Sequence, residues 1–492
     1  MPKNVLLIQP RQTTGWQAHP KVSLPIGLLS VATPVHLAGY RVKIIDQRIE
    51  PEWRLHLKHE LEKEPICVGI SSMTGPQIRH ALQVSKIAKE YANIPVVWGG
   101  VHPTLLPEQT LRNAYVDVIV QGEGEETFLE LVQAFEEHGS PSTVKGVWYK
   151  DDGKARCTGH RPFADLNAQP PLAYHLVEPW RYVILKRGRK GLNFITSRGC
   201  PYQCTFCVNT PIHKRTWRFM DSKLAVERVR EFVEAYRIEE LAFSDMNFFT
   251  NMQRARDILN GILSENLNIV IPKLSVRADS LSAMSREDFS LMSRAGCRRV
   301  TVGIESGSSK IQQLLGKPID IDHLLEVNQR LKPYPITPVY LFMMGMPTEM
   351  VQDLRDSVYL AMRLVEQNTR AVVRFSIYTP YPGTELYDVA MKCGLRVPKR
   401  LEDWIPFNYR NASANAPWLA DEMRKLMEMI DFCSSFLGKR ALAETYSGAG
   451  RFMMALRDVY EPLAKMRMKR FFYHFPLEWT IAKRLGLYGK QI

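Results

Sequence analysis

Three cysteines stand within eight positions of this 492-residue chain, Cys200, Cys204 and Cys207 in RGCPYQCTFC. Only eight cysteines occur in all, too few for a disulfide scaffold, so thiolates crowded this closely point to a metal or a catalytic task. Two kinds of centre are open. One is a zinc ion completed by His213, six residues beyond the third cysteine, although structural zinc sites usually pair two ligand couples across a longer loop. The other is an iron–sulfur cubane on three thiolates, which leaves one iron without a protein ligand and free to meet a substrate. The remaining cysteines, Cys67, Cys157, Cys297, Cys393 and Cys433, are scattered and read as packed thiols.

The elements that must carry these cysteines are strands. Leu192–Ser197 is an apolar run of strand length that ends just before Cys200, and five more follow at Leu241–Ser244, Ile269–Val276, Arg299–Ile304, Val339–Met344 and Val372–Ile377. Helix-period stretches such as Lys223–Tyr236 and Val351–Val365 lie between them. Parallel strands with helical crossovers predict a barrel or an open part of one over 191–395, with its chemistry at the carboxyl-end loops.

An earlier alternation fills 1–140, where Val5–Ile8, Val42–Ile45, Ile66–Ile70, Val96–Trp98 and Val118–Val120 predict a parallel, doubly wound sheet. Its last three strand ends carry SSMTG (Ser71, Ser72, Thr74), GGVHPT (Gly99, Gly100, His102) and GEGEE (Gly122, Glu123, Gly124, Glu125). Such a sheet binds ligands beyond the carboxyl ends of its strands, and three glycine- and hydroxyl-bearing loops there predict a bulky ligand. Residues 141–190 read as a connector with a hairpin in VWYKDDGKARC, and 396–492 as basic and mainly helical. The fold class is therefore α/β throughout, with a helical C-terminal region.

Composition narrows the class further. With 45% hydrophobic and 24% charged residues the chain is neither disordered nor collagen-like, and no apolar run reaches the roughly 18 residues of a spanning helix. The opening MPKNVLLIQP is too short in its apolar part for a signal peptide, and a cytoplasmic enzyme is expected. The net charge of +14 is concentrated in part at 451–492, which holds nine Lys and Arg against three Asp and Glu. There Phe452, Leu456, Val459, Leu463 and Met466 share one helical face, predicted to pack on the protein's own barrel, with contact to an anionic membrane surface as the alternative. HKRTWRF (His213–Phe219) mixes basic and aromatic residues, but its position directly after the cysteine loop favours cofactor or substrate contact over nucleic acid.

Cys-x3-Cys-x2-Cys with Phe206 before the third cysteine resembles the radical S-adenosylmethionine (SAM) superfamily, over about residues 190–385. The resemblance implies a partial (β/α)6 barrel and a [4Fe–4S] cluster on Cys200, Cys204 and Cys207, with SAM chelating the fourth iron and cleaved to a 5′-deoxyadenosyl radical. It also implies SAM contacts from Phe206, from Ser244 and Asp245 in FSDMNFF, from Arg277 in LSVRAD, from Glu305 in GIESGS and from Met346 in FMMGMPTE. FSDMNFF departs from the family's common Gly-Gly-Glu form at that loop. YTPYPGTELY (Tyr378–Tyr387) is similar to the segment that closes the family barrel, with tyrosines that line the mouth or pack.

The leading domain, with LPIGLLSVA and the three strand-end loops, resembles the cobalamin-binding subfamily of the same enzymes. That implies a corrin held by Ser71, Ser72, Thr74, Gly99, Gly100, His102, Gly122, Glu123, Gly124 and Glu125. The Asp-x-His-x-x-Gly that supplies a lower axial histidine in familiar cobalamin modules is replaced by QPRQTTGWQAHP, leaving His19 and His102 as weak alternatives. The function so implied is methylation of an unactivated carbon of a small-molecule or lipid-like substrate, through methylcobalamin and the deoxyadenosyl radical. An electron donor such as flavodoxin or ferredoxin is expected, and no nucleic acid. A cyclase, rearrangement or dehydration enzyme without methyl transfer is the alternative, and a cobalamin or cluster sensor without turnover a further one.

Overall fold

The structure is a computed structural model and describes residues 3–12, 22–91, 94–186, 188–407, 415–438, 450–474 and 477–484. The chain forms two compact units: Met1–Gly199 with Pro211–Glu239 and Val397–Asn408, and Cys200–Thr210 with Glu240–Arg396 and Tyr409–Ile492.

The first unit is built on a seven-stranded sheet of β1 (Asn4–Gln9), β2 (Arg41–Asp46), β3 (Val68–Ser71), β4 (Val96–Gly99), β5 (Val118–Val120), β6 (Val147–Asp151) and β7 (Lys154–Cys157), in the order β2-β1-β3-β4-β5-β6-β7. The first five are parallel, with Leu7 beside Gly69 and Ile70 beside Trp98. Their apolar residues are buried on both faces, as crossover helices on either side require. Gly69 is needed for space, since a Cβ there would lie 2.6 Å from Leu7 Cδ2 and 2.9 Å from Phe128 Cζ on the helix Glu125–Glu136. The hairpin does more than connect: β6 pairs antiparallel with β5 and extends the sheet. Its turn residues Asp152 and Gly153 both have positive φ, the backbone that a tight two-residue hairpin turn demands. Cys157, expected as a packed thiol, is exposed on β7, whereas Cys67, Cys297 and Cys433 are buried.

The barrel's first strand, Arg189–Phe194, and first helix, Ser222–Tyr236, belong to the first unit and its remaining strands to the second. In the second unit Leu274–Arg277, Arg299–Glu305, Thr337–Met344 and Val372–Ile377 form a parallel sheet in chain order. Single bridges at Glu240–Val270 and Ile271–Cys297 carry the pairing back toward the strand Glu240–Phe243. Alternation is clear in Arg299–Glu305, where Val300, Val302 and Ile304 are fully buried.

The C-terminal helix Gly450–Arg470 packs on Val351–Gln367 and Asp421–Ser434, but not by the face the sequence pattern favours. Tyr460, Ala464 and Met468 point inward, while Val459 and Leu463 are 81% and 36% exposed. Tyr460 wins the inner position because its ring packs against Phe432 and Phe436 while its hydroxyl donates to Glu478 Oε1 at 2.9 Å. The side chains of Phe452 and Leu456 lie outside the described residues. No helix among the described residues is long and apolar enough to cross a membrane.

Candidate functional site

In the first unit the ends of β3, β4 and β5 lie side by side at one sheet edge, and their loops are tied together. Ser72 N donates to Gly99 O at 2.9 Å, His102 N to Ser72 O at 3.0 Å, and Gly122 N to Thr104 Oγ1 at 3.0 Å. Gly100 and Gly122 both hold positive φ, for different reasons. A Cβ on Gly100 would stand 3.0 Å from Ser71 Oγ and Ser72 N, so this glycine lets two loops touch. A Cβ on Gly122 would meet nothing within 4 Å; it borders a hollow of about 350 Å³ that Thr104, Gln121, Arg161, Phe163 and Ile212 also line. This is an open edge where a backbone can approach a flat, bulky ligand.

Three side chains expected to face that ligand are otherwise engaged. His102 is fully buried: Nδ1 meets Thr74 Oγ1 at 3.0 Å, the ring stands edge-on to Trp404, and burial pushes its pKa down to about 3. Its neutral imidazole fastens two loops from inside, so it is not turned out as an axial ligand. Glu125 Oε1 accepts from Arg198 Nη1 at 2.6 Å, and Glu123 Oε1 from Arg218 Nη2 at 2.6 Å and Arg198 Nη1 at 3.3 Å. Arg198 Nη2 completes the network on Ser30 Oγ at 3.0 Å. Both carboxylates are thus consumed in holding the GEGEE loop to the segment that leads into Cys200. The same network absorbs HKRTWRF: Arg218 also lies over the Phe163 ring, Trp217 stacks on Phe219, and His213 Nδ1 sits 3.2 Å from Arg218 Nη2. Burial, with Arg218 and Arg198 adding to it, lowers His213 to about 4. His19 lies outside the described residues.

In the second unit Cys200, Cys204 and Cys207 share one loop, whose Cys207 N donates to Cys204 O at 3.1 Å. Burial pushes the Cys200 and Cys207 thiols up, and the neighbouring Cys204 adds to it. Among the described residues no group of three His, Cys, Asp or Glu converges as a single metal ion would require. A cubane makes a different demand, one thiolate per iron around a larger body, and three close thiols on an irregular loop fit it.

Arg277, at the end of its strand, reaches this loop: Nη1 lies 3.3 Å from Cys204 Sγ and the guanidinium stacks 3.7 Å over Tyr202, while Asp279 pairs with its other edge. Glu305 ends the next strand at a register shift with φ of 66°, an unusual backbone for a non-glycine residue. Its Oε1 accepts from Lys317 Nζ at 2.8 Å, and Gly303 leaves room for this pair, since a Cβ there would stand 2.6 Å from that Nζ and would displace it. Met346 is fully buried in an apolar cluster with Ile311, Leu315, Tyr378 and Leu386, against which Phe206 packs; Tyr378 therefore packs rather than lining an opening. Ser244 is exposed and Asp245 buried.

Two residues escaped the sequence reading. Lys317 is a buried lysine in an ion pair, and GKPID gives no local sign of it. Asn247 is 3% exposed in the FSDMNFF loop, with neither its Oδ1 nor its Nδ2 partnered among the described residues. An amide followed by two phenylalanines just beyond a strand end was the available signal.

Glu349 shapes the fifth-strand loop from within. Its Oε2 accepts from Gly345 N at 2.5 Å, and burial pushes its pKa up to about 8. The folded chain therefore keeps a proton there that the unfolded chain releases above its ordinary value of 4.5, so stability falls as pH rises from 4.5 to about 8. Glu349→Gln keeps an acceptor and removes the titration. Denaturation midpoints compared at about pH 5 and about pH 8 should show a smaller decline for the variant than for the parent. An equal decline refutes the assignment.

The comparisons with known proteins fall on the same two sites. The model of the B12 binding domain matches residues 20–132, and that of the Radical SAM superfamily matches 194–361. The chain is 31% identical over 467 residues to the uncharacterized methyltransferase PH0819 of Pyrococcus horikoshii, covering 93% of this chain and 95% of that protein. It is 24% identical to the cytidylyl-2-hydroxyethylphosphonate methyltransferase of Streptomyces wedmorensis, over 86% of this chain and 88% of that one. An anaerobic magnesium-protoporphyrin IX monomethyl ester cyclase of Synechocystis is 25% identical, over 87% and 85%. Among solved structures, the cobalamin-dependent SAM radical enzyme OxsB, with aqua-cobalamin and SAM bound, superposes with a TM-score of 0.73 at 16% identity, covering 99% of this chain and 75% of that one.

Proposed function

Because the chain belongs to the radical SAM enzymes that carry a B12-binding domain, we propose that it transfers a methyl group from SAM to an unactivated carbon of a small-molecule or lipid-like substrate. One observation carries this reading: the three-thiol loop and the open glycine edge occur together in a chain related along nearly its whole length to a methyltransferase. When bound, a reduced [4Fe–4S] cluster, SAM and cobalamin supply one-electron cleavage of SAM and a carrier for its methyl group.

The residues present divide that work. Cys200, Cys204 and Cys207 each offer one thiolate, and the Arg277 guanidinium beside Cys204 tunes the charge there through an N–H···S contact. The unpartnered Asn247 amide, with Ser244 and Asp245, offers polar groups for the amino-acid end of SAM. Glu305, held by Lys317, offers an acceptor for ribose hydroxyls, and the Phe206–Met346 cluster an apolar wall for adenine. At the other site Gly99 and the open Gly122 would bring backbone to the corrin, with hydroxyls from Ser71 and Thr74; Ser72, expected beside them, is instead buried with its hydroxyl on Met73 O, and Gly100 and Gly124 make room for Ser71, Ser72 and Val31. The inward His102 would offer no imidazole to a corrin held at these three loops. Electrons would come from a flavodoxin- or ferredoxin-type donor. Free cysteines throughout support a reducing, cytoplasmic setting.

The test is anaerobic turnover of the reconstituted protein with methyl-labelled SAM and an extract of its source. Label should appear on carbon in a product, and only when cobalamin is supplied. Ring formation without methyl transfer is the second reading, supported by the cyclase relative; an unlabelled product made alongside 5′-deoxyadenosine would select it.

A further inference from the structure

The C-terminal helices carry large apolar side chains that no part of the described chain covers. On Leu477–Arg484, Leu477 and Ile481 are one turn apart and 72% and 56% exposed. Val459 and Leu463 of the preceding long helix and Phe472 between the two are exposed as well. Scattered exposed apolar residues are ordinary, but Leu477 and Ile481 form a stripe along one face of the short helix, and a paired exposure of this size is a contact surface.

The sequence that carries these residues has a positive surplus, and its two described carboxylates, Glu461 and Glu478, are already paired. Glu478, on the same short helix, points inward, where Oε1 accepts from Arg467 Nε at 2.6 Å and from the Tyr460 hydroxyl at 2.9 Å. Glu461 pairs with Lys465 at 2.8 Å and Glu366 with Lys469 at 2.7 Å, so those two lysines are spent as well. Arg470 is exposed, and the sequence continues through Lys483 and Arg484, so that 451–492 carries nine Lys and Arg against three Asp and Glu.

We infer that this face docks the protein on the anionic surface of a lipid bilayer, with Leu477 and Ile481 entering the headgroup–acyl boundary and the basic residues meeting lipid phosphates. An apolar stripe with cations beside it is the pattern of a helix lying in the interface plane. A second copy of the chain would set two cationic faces against each other. Nucleic acid would use the cations and leave Leu477 and Ile481 in water.

Co-sedimentation of the full-length protein with vesicles tests this, using phosphatidylcholine alone and phosphatidylcholine with about one third phosphatidylglycerol. The protein should pellet with the anionic vesicles only, and less at high salt. Leu477→Ser/Ile481→Ser should weaken binding roughly tenfold or more while thermal unfolding and SAM cleavage stay as in the parent. A second variant, Lys483→Glu/Arg484→Glu, should lose the preference for anionic vesicles. Absence of pelleting, equal pelleting with neutral vesicles, or unchanged binding in both variants would overturn the inference. So would self-association that the serine variant abolishes, which would identify a second copy as the occupant.

Discussion

Replacing Cys204 by Ala removes reductive SAM cleavage, with 5′-deoxyadenosine formation falling at least about a thousandfold, while cobalamin binding persists. Cys204 is the most buried of the three cysteines and the one that Arg277 approaches at 3.3 Å. Its loss leaves two thiolates where a cubane needs three, and a small side chain in a buried position that no other ligand among the described residues fills. The corrin edge is built in the other compact unit, on the ends of β3, β4 and β5, so bound cobalamin read by its absorbance should be unchanged. Iron content and 5′-deoxyadenosine measured on one preparation separate loss of the cluster from loss of the fold. Continued SAM cleavage by the variant would sink the cluster assignment.

The second large effect concerns Arg198. Arg198→Ala should destabilise the first unit by about 3–5 kcal/mol, the usual consequence of leaving a buried carboxylate without its cation. Glu125, whose side chain is 5% exposed, has no other cation at salt-bridge distance among the described residues, whereas Glu123 keeps Arg218. Removing the orphaned charge as well should therefore restore much of the loss, so Arg198→Ala/Glu125→Gln is expected to be more stable than Arg198→Ala. The GEGEE loop loosens in the single variant, and cobalamin should be retained less well. Thermal unfolding and cobalamin absorbance of the three proteins check this. Equal stability of the single and double variants would show that the network does not carry the load assigned to it.

Much of this fold is legible along the chain, because it is built from short β-branched runs and amphipathic helices whose periods differ. Val372–Ile377 and Gln77–Tyr91 occur at the residues that their patterns predict. The strand expected over Leu192–Ser197 is broken for a reason no local pattern contains. It ends at Phe194, and Ser197–Arg198 pairs antiparallel with Arg218–Phe219, which places Arg198 and Arg218 on the GEGEE carboxylates.

The candidate site divides in the same way. Spacing alone exposes the cysteine triad and the glycine loops. What each side chain does there depends on partners distant in sequence. Glu123 and Glu125 look like ligand-facing carboxylates until Arg198 and Arg218 arrive, and Lys317 looks like a surface lysine until Glu305 does. The C-terminal helix shows the matching limit for burial. Val459 and Tyr460 are neighbours in sequence, and packing against Phe432 and Phe436, not hydropathy, decides which is inside.

The measurement that bears most directly on the central claim is the product count from SAM. The anaerobically reconstituted protein, given reductant, cobalamin and an extract of its source, should release 5′-deoxyadenosine and S-adenosylhomocysteine together, and both should depend on cobalamin. That pairing reports one SAM spent on the radical and one on the methyl group. Deoxyadenosine without S-adenosylhomocysteine, at a rate indifferent to cobalamin, would contradict methyl transfer and leave a radical enzyme of another kind.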